Sequence, residues 1–218
     1  MQDVKICLDT ETTGLDPYKG HRVVEIGAVE LINGSKTGRF FHAYINPERD
    51  VPEEAYKVHG ISTEFLKDKP LMRDVYHKFH EFIGSHDLVI HNAAFDLKFL
   101  DFEASLVGFP KITNHVIDTL KICRSKFPGS PANLDALCRR FKIDLSKRDK
   151  HGALLDSELL ADVYINLTGG FQRTFAIQSE QITVIKKERI KIFREAREFP
   201  PSAEEIQLHE QFLEIINK

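Results

Sequence analysis

The residues best placed to do chemistry lie in Leu8-Asp9-Thr10-Glu11-Thr12-Thr13-Gly14. The run before them, Val4-Lys5-Ile6-Cys7-Leu8, is short, apolar and rich in β-branched residues, and reads as a buried strand. Alternation along a strand puts Val4, Ile6 and Leu8 on one face and Asp9 and Glu11 on the other. The two carboxylates are then roughly 7 Å apart along the strand. Like charges that close oppose each other's ionisation unless something positive sits between them. The chemistry they suggest is binding of a divalent cation. Asp-x-Glu alone is equally at home on a solvated strand end, so the decision rests on what else converges there.

Two more acids turn toward apolar faces. In a helix expected over Gly152–Leu167, the residues Leu155, Leu159, Leu160, Val163 and Leu167 form a stripe with Asp156 near its middle and Asp162 on its flank. In a helix expected over Ala94–Val107, Asp96 falls between Phe99 and Leu100 on the core side. An acid in a first helical turn is favoured by the dipole, which explains its place along the helix but not its face. A carboxylate aimed at a core is expensive without a partner. Asp9, Glu11, Asp96 and Asp156 therefore read as four acids gathered at one sheet edge. His151 lies five residues before Asp156, roughly 140° away on a continuous helix. It reaches the same site only from the preceding loop, with Gly152 supplying the kink. Histidine accepts a proton near neutral pH, which suits a general base for water. An all-oxygen ligand set selects hard ions, Mg²⁺ or Mn²⁺, over zinc.

The elements that must position these groups follow from the same patterns. Val23–Ile32 reads as a second strand, Asn33-Gly34 as a hairpin turn and Phe40–Ile45 as the returning strand. Pro52 opens a short helix carrying Glu53 and Glu54, and Ser62 or Thr63 caps the next turn. Leu71, Val75, Phe79 and Phe82 recur at helical spacing up to Gly84. Asp87–Ile90 is a buried strand leading into His91-Asn92-Ala93-Ala94-Phe95-Asp96, and Val116-Ile117 is one more short strand. Asn133 caps Leu134–Phe141. Strands in a meander, then alternating with helices, predict an α/β domain with a mixed sheet.

Composition narrows the setting. The 218 residues suffice for one domain and an appendage, with 42% hydrophobic and 29% charged residues, as in soluble globular proteins. No apolar run has the length of a membrane span, and no signal-peptide pattern opens the chain. Cys7, Cys123 and Cys138 show no disulfide framework and are expected to be reduced in a cytoplasmic protein. A net charge of −3 argues against broad electrostatic capture of duplex nucleic acid. It leaves room for a local nucleic-acid site neutralised by metal ions. Gly169-Gly170 is the expected boundary between a domain over residues 1–169 and a tail over 170–218. Past residue 170, basic and acidic residues balance at eight each. Helical character over Ile182–Arg197 and Glu204–Ile216 comes with too little apolar surface for a second core.

Taken together, Asp-x-Glu on the first strand, His-Asn-Ala-Ala-Phe-Asp after a later one and His-x-x-x-x-Asp opening a late helix resemble the DEDDh exonucleases of the ribonuclease-H-like fold. LDTETTGLDP, HRVVEIGAVE, VHGIS, LVIHNAAFD, NLDALCRRF and HGALLDSELLADVY follow in the order found in that family's proofreading members, the exonuclease subunits of bacterial replicative polymerases. The resemblance spans roughly residues 4–170, with a weaker likeness in the tail. It implies a ribonuclease-H-like mixed sheet flanked by helices, a C-terminal helical or extended tail, and 3′-5′ removal of mispaired DNA ends. It further implies that Asp9, Glu11, Asp96 and Asp156 hold two divalent cations, Mg²⁺ or Mn²⁺. Asp9 would bridge them, Glu11 and Asp156 would complete one, and Asp96 would help hold the other, partly through water. His151 would be the proton acceptor. Contacts to the 3′-terminal nucleotide are implied for Thr10, Thr12, Glu54, His59 and Asn92, beside Asp9, Glu11 and Asp156. Leu15 would be a wedge at the terminal base, and Phe95 would wall the pocket.

For the tail, the implied partner is the polymerase catalytic (alpha) subunit. Gln172-Arg173-Thr174-Phe175-Ala176-Ile177 has the form of a sliding-clamp-binding peptide, a glutamine followed by spaced apolar residues. Two rival functions stay open on the residues alone: an exoribonuclease trimming RNA 3′ ends, and a module that mainly bridges polymerase components. Only contacts near the sugar discriminate the 2′-hydroxyl. Digestion of matched DNA and RNA oligonucleotides, with and without Mg²⁺, separates all three.

Overall fold

In the computed structural model, which describes residues 3–146, 148, 150–169 and 200–216, the Asn33-Gly34 signal becomes a tight hairpin turn. Both residues take positive φ, 52° and 77°, the pairing that matches the twist of the flanking strands. The turn joins β2 (Val23–Ile32) to β3 (Ser35–Tyr44). With β1 (Val4–Thr12), β4 (Asp87–Ile90) and β5 (Val116–Asp118) they form one five-stranded sheet in the order β3-β2-β1-β4-β5. The β1–β2 and β2–β3 pairs are antiparallel, and the β1–β4 and β4–β5 pairs are parallel. The strand expected from Phe40 begins instead at Ser35. Its first six residues are exposed and carry no apolar alternation, so backbone pairing alone makes them a strand.

Helices cover both faces. On one lie α3 (Met72–Ile83) and α4 (Ala93–Leu106), closing a core of Ile6, Leu8, Ile26, Leu88, Phe79 and Phe99. On the other lie α6 (Leu134–Phe141) and α7 (Ala153–Leu167), around Cys7, Val29, Val89, Leu137 and Leu160. The short helices α1 (Glu53–His59), α2 (Thr63–Leu66) and α5 (Thr119–Lys126) fill the loops. In α3 the buried side is Met72, Val75, Tyr76, Phe79 and Ile83. Leu71 serves as the N-cap and Phe82 is half-buried, which rotates the expected stripe by one position. The chain divides into two compact units, Met1–Ile177 and Gln178–Lys218. In the second, α8 (Ala203–Ile216) leaves Ile206, Leu208, Phe212, Leu213 and Ile216 exposed. Gly170, the Gln172–Ile177 peptide and the segment Ile182–Arg197 lie outside the described residues.

Three contacts bring α7 onto the sheet. Gly27 pairs with Asp9 in the β1–β2 register, and the Ala153 backbone sits directly over it, where a Cβ would clash. A glycine inside a strand often marks such a close approach. Ser157 Oγ donates to the Gly27 carbonyl at 2.8 Å, and the Ala153 N–H donates to Glu25 Oε2 at 3.1 Å. The start of α7 is thus seated against the strand pair that carries Asp9 and Glu11. Gly152, the N-cap of α7, is extended at φ −158°, a conformation open to any residue. His151 leaves the helix by ordinary extended backbone, and the kink expected of Gly152 is not needed.

Gly27→Ala is expected to lift α7 from β2 and to destabilise the domain by about 2 kcal/mol through overpacking. Urea denaturation checks the loss, and a midpoint equal to the parent's contradicts this account of the packing.

Candidate active site

The carboxyl end of β1 gathers the acids. Asp9 and Glu11 project from the Cys7 face toward α7, while Thr10 projects from the opposite face toward α4. Thr10 Oγ1 donates to Asp96 Oδ1 at 2.7 Å, tying the first turn of α4 to β1. Asp156, in the first turn of α7, is 3% exposed, and Asp96 is 4% exposed. Ligand atoms of Glu11, His151 and Asp156 lie within 4.8 Å of one another, a grouping able to hold a metal ion.

The electrostatics record the crowding. Burial raises the Asp9 pKa well above the ordinary aspartate value, and the neighbouring Asp96, Glu11, Asp156 and Glu25 carboxylates raise it further. Burial, then Asp156 and Glu25, push Glu11 up to about 8. Burial lifts Asp96 to about 7, against the hydrogen bond from Thr10. Asp156 goes the other way. Burial would raise it, but hydrogen bonds from Arg148 and His151 outweigh that and hold it below the ordinary value. Three crowded carboxylates deficient in positive charge, with oxygen donors throughout, fit divalent cations well.

Arg148 was not singled out from the sequence. Its side chain is 7% exposed, and its guanidinium grips Asp156 with two hydrogen bonds, Nε to Oδ1 at 2.6 Å and Nη2 to Oδ2 at 2.7 Å. Its Nη1 bonds Asp135 of α6, and Nη2 stands 2.9 Å from His151 Nδ1. His151 Nδ1 is also 3.1 Å from Asp156 Oδ2. In a neutral ring one nitrogen cannot both accept from Arg148 and donate to Asp156, so the tautomer depends on which bond is kept. Donation to Asp156 leaves Nε2 as the basic nitrogen. A buried acid demands a partner, but periodicity cannot show which loop cation folds back onto it. Glu25 was missed as well. It is buried opposite Glu11, where it caps α7 through Ala153 and accepts from His42 Nε2 at 2.7 Å.

A cavity of about 500 Å³ opens beside the acids. Thr10, Glu11, Thr12, Leu15, Glu54, His59 and Phe95 line it, together with Val58 and His21, which fall in the VHGIS and HRVVEIGAVE motifs, and Lys19, which carried no signal in the sequence. Leu15 is 82% exposed. The turn beneath it is fixed by Thr12 Oγ1 donating to the Gly14 carbonyl and by the Thr13 N–H donating to the Arg22 carbonyl. Arg22 is itself locked to buried Glu103 of α4 by a two-pronged ion pair. His59 is buried, and its Nδ1 accepts from the Ile61 N–H at 3.0 Å. The proton of the neutral ring therefore sits on Nε2, which the nearby Thr12 carbonyl does not satisfy. Burial lowers the His59 pKa. Asn92 does not line this cavity; it lines a second one, toward β5.

Residues 6–164 match the family model described as Exonuclease, and the chain belongs to that family. Among its relatives, DNA polymerase III subunit epsilon of Rickettsia typhi is 52% identical over 221 residues, covering 97% of this chain and 96% of its own. The Escherichia coli K12 protein of the same name is 45% identical over 228 residues, covering 98% and 93%. Among solved structures, Exonuclease X in complex with 5′ overhanging duplex DNA superposes with a TM-score of 0.62 at 27% identity, covering 76% of this chain and 92% of that one. The nuclease domain of 3′hExo, a DEDDh family member bound to rAMP, shares the fold with a TM-score of 0.67 at 19% identity, covering 78% and 93%. The ribonuclease-H-like architecture expected from the motifs is the one the sheet adopts.

The raised acids give a pH signature. In EDTA the folded chain holds protons on Glu11 that the unfolded chain releases above its ordinary pKa of 4.5. The stability this contributes is present below that value and is lost as pH rises through about 8. The melting temperature in EDTA is therefore expected to fall over that window, and less steeply in Glu11→Gln. Equal slopes in the two proteins contradict the assignment.

Proposed function

We propose that this chain is a 3′-5′ exodeoxyribonuclease that proofreads DNA synthesis as the epsilon subunit of DNA polymerase III. The observation that carries this reading is the convergence of Asp9, Glu11, Asp96 and Asp156 with His151 beside a cavity of nucleotide size. The full-length likeness to proteins named DNA polymerase III subunit epsilon supports the biological setting, and with it a cytoplasmic location. Among the described residues no helix is long and apolar enough to cross a membrane.

Asp9, Glu11, Asp96 and Asp156 are the residues that would hold two divalent cations, Mg²⁺ or Mn²⁺. Bound there, such ions supply Lewis acidity to the phosphodiester and to the departing 3′-oxygen. The chain does the rest. His151 takes a proton from the attacking water at Nε2, while Nδ1 donates to Asp156. The terminal nucleotide enters the cavity with its base against Leu15 and Phe95. His59 Nε2–H donates to a nucleotide oxygen, and Thr10, Thr12 and Glu54 line the same cavity and contact the nucleotide. Because the terminal base must leave the duplex to reach this cavity, a mismatched end enters at lower cost. Selectivity for errors then arises without any reading of sequence.

The exposed apolar residues of α8 fall on one broad side of that helix and support a docking role for residues 170–218 on the polymerase catalytic (alpha) subunit. The Gln172–Ile177 peptide extends that reading to the sliding clamp.

Asp9→Ala is expected to abolish digestion of a 5′-labelled primer while the protein stays folded, and to melt no lower than the parent in EDTA. His151→Ala is expected to lower turnover about a hundredfold to ten-thousandfold with little change in Mn²⁺ affinity by calorimetry. Collapse of that affinity makes His151 a ligand. The parent is expected to shorten a mispaired primer faster than a paired one, one nucleotide at a time. Internal cuts, or full activity in EDTA, overturn the reading. A chain ending at Gly170 is expected to digest single strands normally and to fail to co-purify with the catalytic subunit.

A further inference from the structure

The first turn of α4 divides two cavities. Phe95 lines the cavity assigned above to the terminal nucleotide, Asn92 lines a second one of about 460 Å³, and Asp96 lies beside them among the acids. The sheet order gives the two cavities opposite sides. The first lies over the ends of β1 and α1, and the second lies over the ends of β4 and β5, against the starts of α5 and α6. Two strand spacings, about 10 Å, separate β1 from β5. Both cavities open at the carboxyl ends of parallel strands, where open α/β sheets bind ligands.

The second cavity differs from the site beside it in charge. Acids crowd the centre, yet among the described residues no carboxylate lines this cavity. Asp118, at the end of β5, is occupied by the N–H groups of Asn92 and Leu120. His91 is held by Thr119, and burial lowers its pKa, so it serves as a neutral wall. Arg124 supplies the positive charge. It is exposed and makes no ion pair or hydrogen bond among the described residues. Asn92 holds the left-handed conformation (φ 68°), which presents its side chain at the rim without a capping bond. A free guanidinium and a free amide facing a cavity without acids form a receptor for a phosphate group.

We propose that this second cavity holds a backbone phosphate of the same strand, on the 5′ side of the bond being cut, with Arg124 as its counter-ion and Asn92 as a further donor. The proposal rests on the exonuclease reading above, because a strand whose 3′ nucleotide fills the first cavity must leave the acids on the side away from it. A net-negative chain then grips its substrate at one cationic point beyond the catalytic centre. Arg124 is a specificity-determining residue: it favours ends with several nucleotides behind them over a dinucleotide, which cannot span both cavities.

The test compares Arg124→Gln, Arg124→Lys and Asn92→Gly with the parent, the last keeping a residue that tolerates positive φ. The ratio of kcat/KM for a short oligothymidylate to that for the dinucleotide is expected to fall about tenfold in Arg124→Gln, and to recover largely in Arg124→Lys. Asn92→Gly should lower it less. Anisotropy of a 5′-fluorescein oligothymidylate in EDTA reads the same contact without turnover. The slope of log K against log salt is expected to shrink by about 0.7 in Arg124→Gln, the loss of one phosphate on a single strand. An unchanged ratio and slope overturn the proposal, and so does an equal loss on both substrates. A parent that binds the oligomer but never cuts it refutes the exonuclease reading, while the salt slope still decides the Arg124 contact.

Discussion

The domain depends on keeping carboxylates together that repel one another. Asp9, Glu11, Asp96, Asp156 and Glu25 come from two strands and two helices; desolvation and the neighbouring carboxylates both oppose ionisation of Asp9 and Glu11, and burial opposes it at Asp96. Nothing in hydrophobic packing favours such a meeting. It is held by contacts unrelated to charge: the bare Gly27 surface that receives Ala153, the Ser157 bond to the Gly27 carbonyl, and Thr10 bridging to Asp96. The apolar cores on both sheet faces supply the stability that offsets the strain. An arrangement that is poor for folding is thereby ready for cations.

The cluster is not uniformly starved of positive charge. Arg148 spans Asp135 and Asp156 and reaches His151, so one acid stays ionised while its neighbours are pushed toward protonation. Glu25 faces Glu11 across the β1–β2 ladder, yet its own charge is spread into His42 and the amino end of α7. Glu25 thus builds the frame, while Asp9, Glu11, Asp96 and Asp156 remain for the cations, Asp156 being positioned by Arg148. The two cavities extend this division outward. On one side apolar Leu15, Phe95 and Val58 suit a base, and on the other Arg124 suits a phosphate.

Much of the frame was legible in local signals because those signals are local in origin. The Asn33-Gly34 turn, the Asn133 cap of α6 and the alternation in β1 each depend on a few neighbouring residues. The face of Asp156 on α7 was readable from helical periodicity for the same reason. Failures fall where long-range pairing overrides local pattern. The outer half of β3 is a strand only because β2 lies beside it, and Leu71 is a cap although it fits an apolar stripe. Gly27 stood in plain view as a glycine inside a strand, but what approaches it could not be known before α7 was placed.

By itself the sequence determined which chemical groups exist and which face of its own element each occupies, since strand and helix periods are set by backbone sterics. The motif order also carried the family, and with it the expectation that five dispersed residues share one site. Tertiary structure alone decided the partners. That Arg148 closes on Asp156, that Asn92 opens into a different cavity from Thr10, and that Arg124 stands unpaired among the described residues are facts of loop paths and helix docking. Those are set by packing among elements distant in the chain, which no local period encodes.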